Sequence, residues 1–150
     1  MATRPARRRK QSAAGGKPRA VIVHSLDHAR LALAAARAAK KPIVLRSAPG
    51  AAAYAGVGWF AAMVARAARE FPGVNFTESL DCGEDAGHAM AALREGVRLV
   101  RMSGPKKLRT KIASMAKKSG AALDEDEGPA LDLLEADDPA AALREWLASA

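Results

Sequence analysis

Two rhythms of apolar residues alternate along this chain. Short apolar runs, too brief to be helices, are followed by longer stretches in which apolar positions return at helical spacing. The first run is residues 20–23 (Ala20, Val21, Ile22, Val23), ending at His24 and Ser25. Asp27 is placed to cap a helix that Leu31, Leu33 and a row of alanines carry to Lys40 and Lys41. Pro42 ends that helix, Ile43, Val44 and Leu45 form the second run, and Pro49 and Gly50 break it. A helix then follows, with Trp59, Phe60, Met63, Val64 and Ala67 on its apolar side, to about Phe71. A third run over residues 74–80 leads to Asp81, Cys82 and Gly83, and a helix over about 85–95 turns Met90 and Leu93 inward before Gly96 ends it. A fourth run, 97–102, turns at Ser103 and Gly104. Pro105 suits the first turn of the next helix, with Leu108, Ile112 and Met115 on one face. The other face of that helix is basic (Lys106, Lys107, Arg109, Lys111, Lys117, Lys118) and reads as solvated surface. Ala121, Ala122 and Leu123 begin a short fifth strand. An acidic stretch follows, and Asp138 with Pro139 starts a last helix whose Leu143, Trp146 and Leu147 dock it on the body.

Strand and helix alternate every 22–31 residues or so, the βα rhythm of a parallel sheet covered by helices, with right-handed crossovers. The expected fold class is therefore α/β, with five βα units, (βα)5. In such a sheet the site lies where the strands end. The polar residues at those ends are His24 and Ser25, Arg46 and Ser47, Asp81 and Cys82, Ser103, and residues 124–127. The strand that delivers Gly50 to a helix start also predicts a loop with free backbone N–H groups, favourable to an anion. The same pattern is equally that of an ordinary connection holding no ligand.

The chain has 150 residues, room for one core but not for a closed eight-unit barrel of about 250 residues. Apolar residues are 49% and aromatics only 4%, which suits small, tightly packed contact faces. The formal charge of +8 is concentrated in residues 1–19, which hold seven Arg or Lys and no acid. They read as a disordered basic tail ahead of one domain over 20–150. Such a tail either solubilises or attracts nucleic acid by counterion release. No aromatic is interleaved with its arginines. A single cysteine, Cys82, excludes an internal disulfide and fits a reducing compartment. No run is long enough to span a membrane, so no membrane partner is expected, and cytoplasm is the expected location.

From Ala20 to about Gly128 the strand ends resemble the first five βα units of class II, zinc-dependent fructose-bisphosphate and tagatose-bisphosphate aldolases. The family's "SPVILQxSxGAxKYAG" block is echoed by KPIVLRSAPGAAAYAG at 41–56, and its "HLDHG" strand end by Ser79-Leu80-Asp81-Cys82-Gly83. Its "VMIDGS" is echoed by residues 100–105 and its "V-E-A-E-L-G" by 123–128. The fold this implies is a truncated TIM-barrel-like sheet with flanking helices.

In that family Zn²⁺ polarises the ketose carbonyl, and an aspartate beside the first metal-binding histidine moves a proton. The resemblance places Asp81 at that aspartate, Cys82 at the histidine, and Asp126 near the glutamate ligand. Cys82 and Asp126 are then the candidate metal ligands, and His24, Ser25, Ser47, Gly50 and Ser103 the candidate pocket for an anionic or phosphorylated small molecule. The family's serine in its SxGA turn falls on Ala48 and the aspartate of its "IDG" turn on Ser103. Its two further histidine ligands belong to later barrel strands. Two nameable ligands are fewer than the three a catalytic zinc needs, and no strand carries a lysine for Schiff-base chemistry. The expectation is a degenerate, non-catalytic binding, regulatory or self-associating module with no cofactor, zinc being the one cofactor the resemblance admits. Its sheet edges would be covered by a second copy or a partner chain. The alternatives are a lyase whose metal site a second subunit completes, and nucleic-acid association through the basic tail.

Overall fold

A computed structural model describes residues 17–149. Its elements, in chain order, are β1 (Arg19–Ile22), α1 (Leu26–Ala39), β2 (Ile43–Arg46), α2 (Ala51–Tyr54), α3 (Val57–Glu70), β3 (Phe76–Asp81), α4 (Ala86–Arg94), β4 (Leu99–Arg101), α5 (Lys106–Lys118), β5 (Ala122–Leu123), β6 (Leu131–Asp132) and α6 (Pro139–Ala148). All strand pairs are parallel, in the order β5-β4-β3-β2-β1-β6. This is the α/β, TIM-barrel-like open sheet expected, with β1 to β5 adjacent in chain order and joined by helices. Most of the predicted tail, residues 1–16, lies outside the described residues. Arg19 already opens β1, and the Lys17 ammonium reaches Asp126 at 3.1 Å.

One face of the sheet packs on the helices. Val21, Val23, Ile43, Leu45, Leu80 and Val100 meet Leu33, Phe60, Val64, Leu93 and Ile112 in a buried cluster filled between them by small alanines. Alanines 29, 32, 36, 67, 89 and 92 are all buried there, which is how a chain so poor in aromatics closes its core. The opposite face, with Val44, Arg46, Thr77, Ser79, Leu99 and Arg101, carries no helix among the described residues and is concave. The Asp124 carboxylate, at the end of β5, touches Arg46 on β2. Three strand spacings on a flat sheet would be about 14 Å, farther than the two side chains can bridge. The sheet is therefore curled like a barrel wall, and residues 124–130 cross from its β5 edge to its β6 edge.

Several elements differ from the sequence reading. The sheet has a sixth strand: β6 pairs with β1 through Val21–Leu131 and Ile22–Asp132 and covers the edge of β1. Its two residues are too short to show alternation, so no periodicity announced it. The predicted second helix is two, because Gly56 (φ +89°) breaks the chain after Ala55 and starts α3. Trp59, expected on the buried side, is 45% exposed, whereas Phe60, Met63, Val64 and Ala67 are buried. The cap of α1 is Ser25, whose Oγ accepts from the His28 N–H at 3.1 Å; Asp27 lies in the first turn instead. Pro105 is the N-cap of α5, one position outside the helix.

The last helix docks as its Trp predicts. Trp146 Nε1 donates to the Ala20 carbonyl at 3.1 Å, just below the point where β6 begins to pair, and the Arg19 guanidinium stacks 4.2 Å from the Trp146 ring centre. Arg19 and Lys41 also donate to the carbonyls of Ser149 and Leu147, where a helix end favours cations. Among the described residues no helix is long and apolar enough to cross a membrane.

Candidate functional site

The loops after the strands form one rim, and Asp81 stands near its centre. The carboxylate of Asp81 accepts from the Gly50 N–H at 3.0 Å and from the Gly83 N–H at 2.9 Å, both on Oδ1. Gly50 and Gly83 both have positive φ (+69° and +57°), the conformation that lets glycine turn its N–H toward the carboxylate. The backbone N–H of Asp81 donates to Ser47 Oγ at 2.9 Å, and that hydroxyl donates on to the Ala48 carbonyl. The N–H of Gly50, predicted as a place for an external anion, is thus taken by a carboxylate of the protein itself.

Beside Asp81 is a cavity of about 150 Å³, lined among others by Arg101, Ser103, Arg109, Asp124 and Glu125. Ligand pockets typically run about 300–1,000 Å³, so this one is small for a ketose bisphosphate. A larger cavity, about 430 Å³, lies on the concave face between Val44, Thr77, Leu99, Arg46 and the 124–126 segment. In a closed barrel, side chains of further strands fill that position.

Between the two cavities lies a buried ion-pair cluster. Arg46 and Asp124 are 5% and 8% exposed. Arg46 Nε donates to Asp124 Oδ2 at 3.0 Å and its Nη2 to Oδ1 at 3.3 Å, a forked pair, while Ser79 Oγ donates to Oδ2 at 2.7 Å. Arg101 adds donations to the Asp124 and Asp126 carbonyls. Burial works against a charge on Asp124, but the Ser79 hydroxyl and the Arg46 guanidinium outweigh it and hold the carboxyl below its ordinary value. Asp126 is held low by the N–H of Gly128, against some burial, and then by Lys17.

The remaining predicted pocket residues separate from this group. His24 Nε2 meets Asp132 Oδ1 at 2.7 Å, joining the ends of β1 and β6. The His24 backbone N–H donates to His28 Nδ1 at 3.1 Å, which leaves that ring nitrogen unprotonated. Burial first, then His24, pushes His28 below its usual value. Ser25 is spent as the α1 cap. Of the predicted pocket, Ser103 lines the smaller cavity with Asp81, Ser47 and Gly50 position Asp81, and His24 and Ser25 stand aside.

The two candidate metal ligands do not fit zinc as arranged. Successive residues of a strand point to opposite faces, and Cys82 follows Asp81 into the helix-side core, where it is 3% exposed. Burial, then Asp81 and Asp85, pushes its thiol up to about 12, so at neutral pH it is no thiolate. Asp126 is on the concave side, engaged by Lys17. Among the described residues no three His, Cys, Asp or Glu side chains converge to hold a metal ion.

Arg46 and residues 124–127 were visible in the sequence as polar strand ends, but not their pairing. Ser79, Arg101 and Asp132 were missed. The first two fall inside apolar runs, and period-two alternation opposite Leu80 and Val100 was the signal that could have marked them as facing away from the helices. A search of curated proteins finds no match to the chain. The family model described as fructose-bisphosphate aldolase class-II does match, over residues 10–107, through the strand ends that carry Gly50, Asp81 and Arg101. The chain belongs to the class II fructose-bisphosphate aldolase family.

Proposed function

We propose that this chain is a non-catalytic member of its family, a binding module rather than a lyase. The observation that carries the reading is the internal use of the strand-end groups. The carboxylate of Asp81 is anchored by two backbone N–H groups, Cys82 is a buried neutral thiol, and the concave centre is closed by the Arg46–Asp124–Ser79 cluster. Aldol cleavage needs an electron sink at the ketose carbonyl, and among the described residues neither a three-ligand metal site nor a strand lysine supplies one. A small anionic compound, of a size nearer to phosphate than to a sugar bisphosphate, would meet Arg101, Arg109 and Ser103 at the rim, against the carboxylates of Asp81, Asp124, Glu125 and Glu127 that line the same cavity.

The test is zinc content together with aldol cleavage of ketose phosphates on purified protein. The expected outcome is substoichiometric zinc and no cleavage. Stoichiometric zinc that is lost in Cys82→Ala would overturn the reading. Phosphate binding that weakens in Arg109→Gln with no change in fold would support the rim as the ligand site.

A second reading rests on Asp81 itself, which keeps the place of the proton-transfer aspartate beside a cavity. In that case a second subunit or partner chain contributes the missing ligands. Cleavage that rises with protein concentration and disappears in Asp81→Asn would favour it.

A further inference from the structure

The helix α5 carries a charge pattern that neither the fold nor the rim explains. Its buried side is Ile112 and Ala116, with Leu108 partly covered beside them. At about 100° per residue, Lys106 and Lys117 form one row on the outer side, and Lys107, Lys111 and Lys118 a second. Thr110 and Ser114 lie between the rows. All five lysines are exposed. Among the described residues none of the five meets an acid within ion-pair distance. Arg109, nearer the body, is turned to the Gly104 carbonyl at 3.2 Å.

Lys117 and Lys118 in the last turn suit the helix dipole, but the start of the rows works against the helix. Lys106 and Lys107 occupy the first turn, where the positive end of the dipole disfavours cations, and no acid accompanies them. Lys107 and Lys111 are a like-charge pair at i,i+4, which is destabilising. Apart from α5, residues 17–149 hold 13 Lys or Arg against 16 Asp or Glu. The positive face is thus a local feature set on an otherwise acidic body. Arg30 on α1, by contrast, is paired with Asp27 and Glu70.

We infer that the outer face of α5 is a docking surface for the phosphate backbone of a nucleic-acid duplex, read without sequence preference. The lysine rows run about 18 Å along the helix, a length over which a duplex presents about ten negative charges. Flexible ammonium stems on both sides of two hydroxyls suit phosphate oxygens, with the hydroxyls as further donors. The lysine rows enclose no apolar side chain that could enter a lipid layer, which interfacial helices require. A duplex is therefore favoured over an anionic membrane. The lysine rows begin beside the rim, where Ser103 and Arg109 line the smaller cavity, and run away from it along α5; the inference is independent of whether the rim is catalytic.

The experiment is binding of the full chain to a mixed-sequence DNA duplex, followed by fluorescence anisotropy across a salt series. With all five lysines engaged, log K falls against log salt with a slope of about −4.5. Lys107→Gln/Lys111→Gln/Lys118→Gln should make that slope shallower by about 2.7, while the arginine versions of the same substitutions restore it. Glutamine is a comparable helix former at these exposed sites, and an unchanged or higher thermal midpoint shows that the fold is kept. Arg7→Gln/Arg8→Gln/Arg9→Gln separates the N-terminal cations. If the tail variant abolishes binding and the α5 variant leaves affinity and slope unchanged, the inference is overturned. It is equally overturned if vesicles of phosphatidylserine and phosphatidylcholine bind with the lysine dependence and the duplex does not.

Discussion

Arg46 and Asp124 show how much of this molecule rests on one buried pair. Removing one partner leaves a charge without its counterion in a place water scarcely reaches, and such losses typically cost about 3–5 kcal/mol. Asp124→Asn should fall at the lower end, since Asp126 Oδ2 is also 3.8 Å from Arg46. Replacing both, Arg46→Met with Asp124→Leu, should recover most of that loss in urea unfolding, because apolar pairs of similar volume often replace buried ion pairs. The acid response follows from the same residue. The carboxyl of Asp124 is depressed in the fold, so its contribution is present above the unfolded value of about 3.9 and disappears as pH falls through the lower folded value. Glu78 works in the opposite direction. Burial raises its carboxyl, only partly offset by its own and the Arg98 N–H groups, so ionising it is unfavourable in the fold. Glu78→Gln should therefore raise the thermal midpoint at pH 7, and the advantage should close as pH falls through the raised value.

Among the elements, α6 and the α2–α3 break make separate predictions. Trp146 satisfies the Ala20 carbonyl on the stretch of β1 that β6 is too short to cover. Trp146→Phe keeps much of the ring but leaves that carbonyl without its donor, at a cost of about 1–3 kcal/mol. Hydrogen exchange should then show β1 and β6 opening before β2 and β3. Gly50 has φ +69° with open space around its α-carbon, so Gly50→Ala is a purely conformational change. It should cost about 1–2 kcal/mol, and by displacing the N–H from Asp81 it tests how firmly that carboxylate is held. The sixth strand carries the lesson about legibility. Three-residue β4 was readable because Val97, Leu99 and Val100 stand in an apolar run between glycine and proline signals. Two-residue β6 was not, because Leu131 and Asp132 lie in acidic sequence and become a strand only by pairing with β1.

For the molecule as a whole, the curled sheet, with helices on only one face among the described residues, is the property from which the rest follows. Its edges are two-residue strands, and short edges resist pairing with other chains. Solution mass should therefore be monomeric at micromolar concentration; a dimer would locate the contact on the concave face, where the larger cavity lies, and Val44→Lys would then dissolve it. The strand–helix alternation, the core face of α3 apart from Trp59, the inward Leu93 of α4, the Asp138–Pro139 start of α6 and the family likeness were all readable from residue order. Those features arise from neighbours within a few positions, and local periodicity records them. Which face each strand-end side chain takes was not readable in the same way. Asp81 and Cys82 are adjacent in the chain yet serve opposite sides of the sheet, and the acid that matters most to Arg46 is Asp124, 78 positions away. Only the curl of the sheet brings those two together, and a curl is summed over every strand pair rather than written in any one segment.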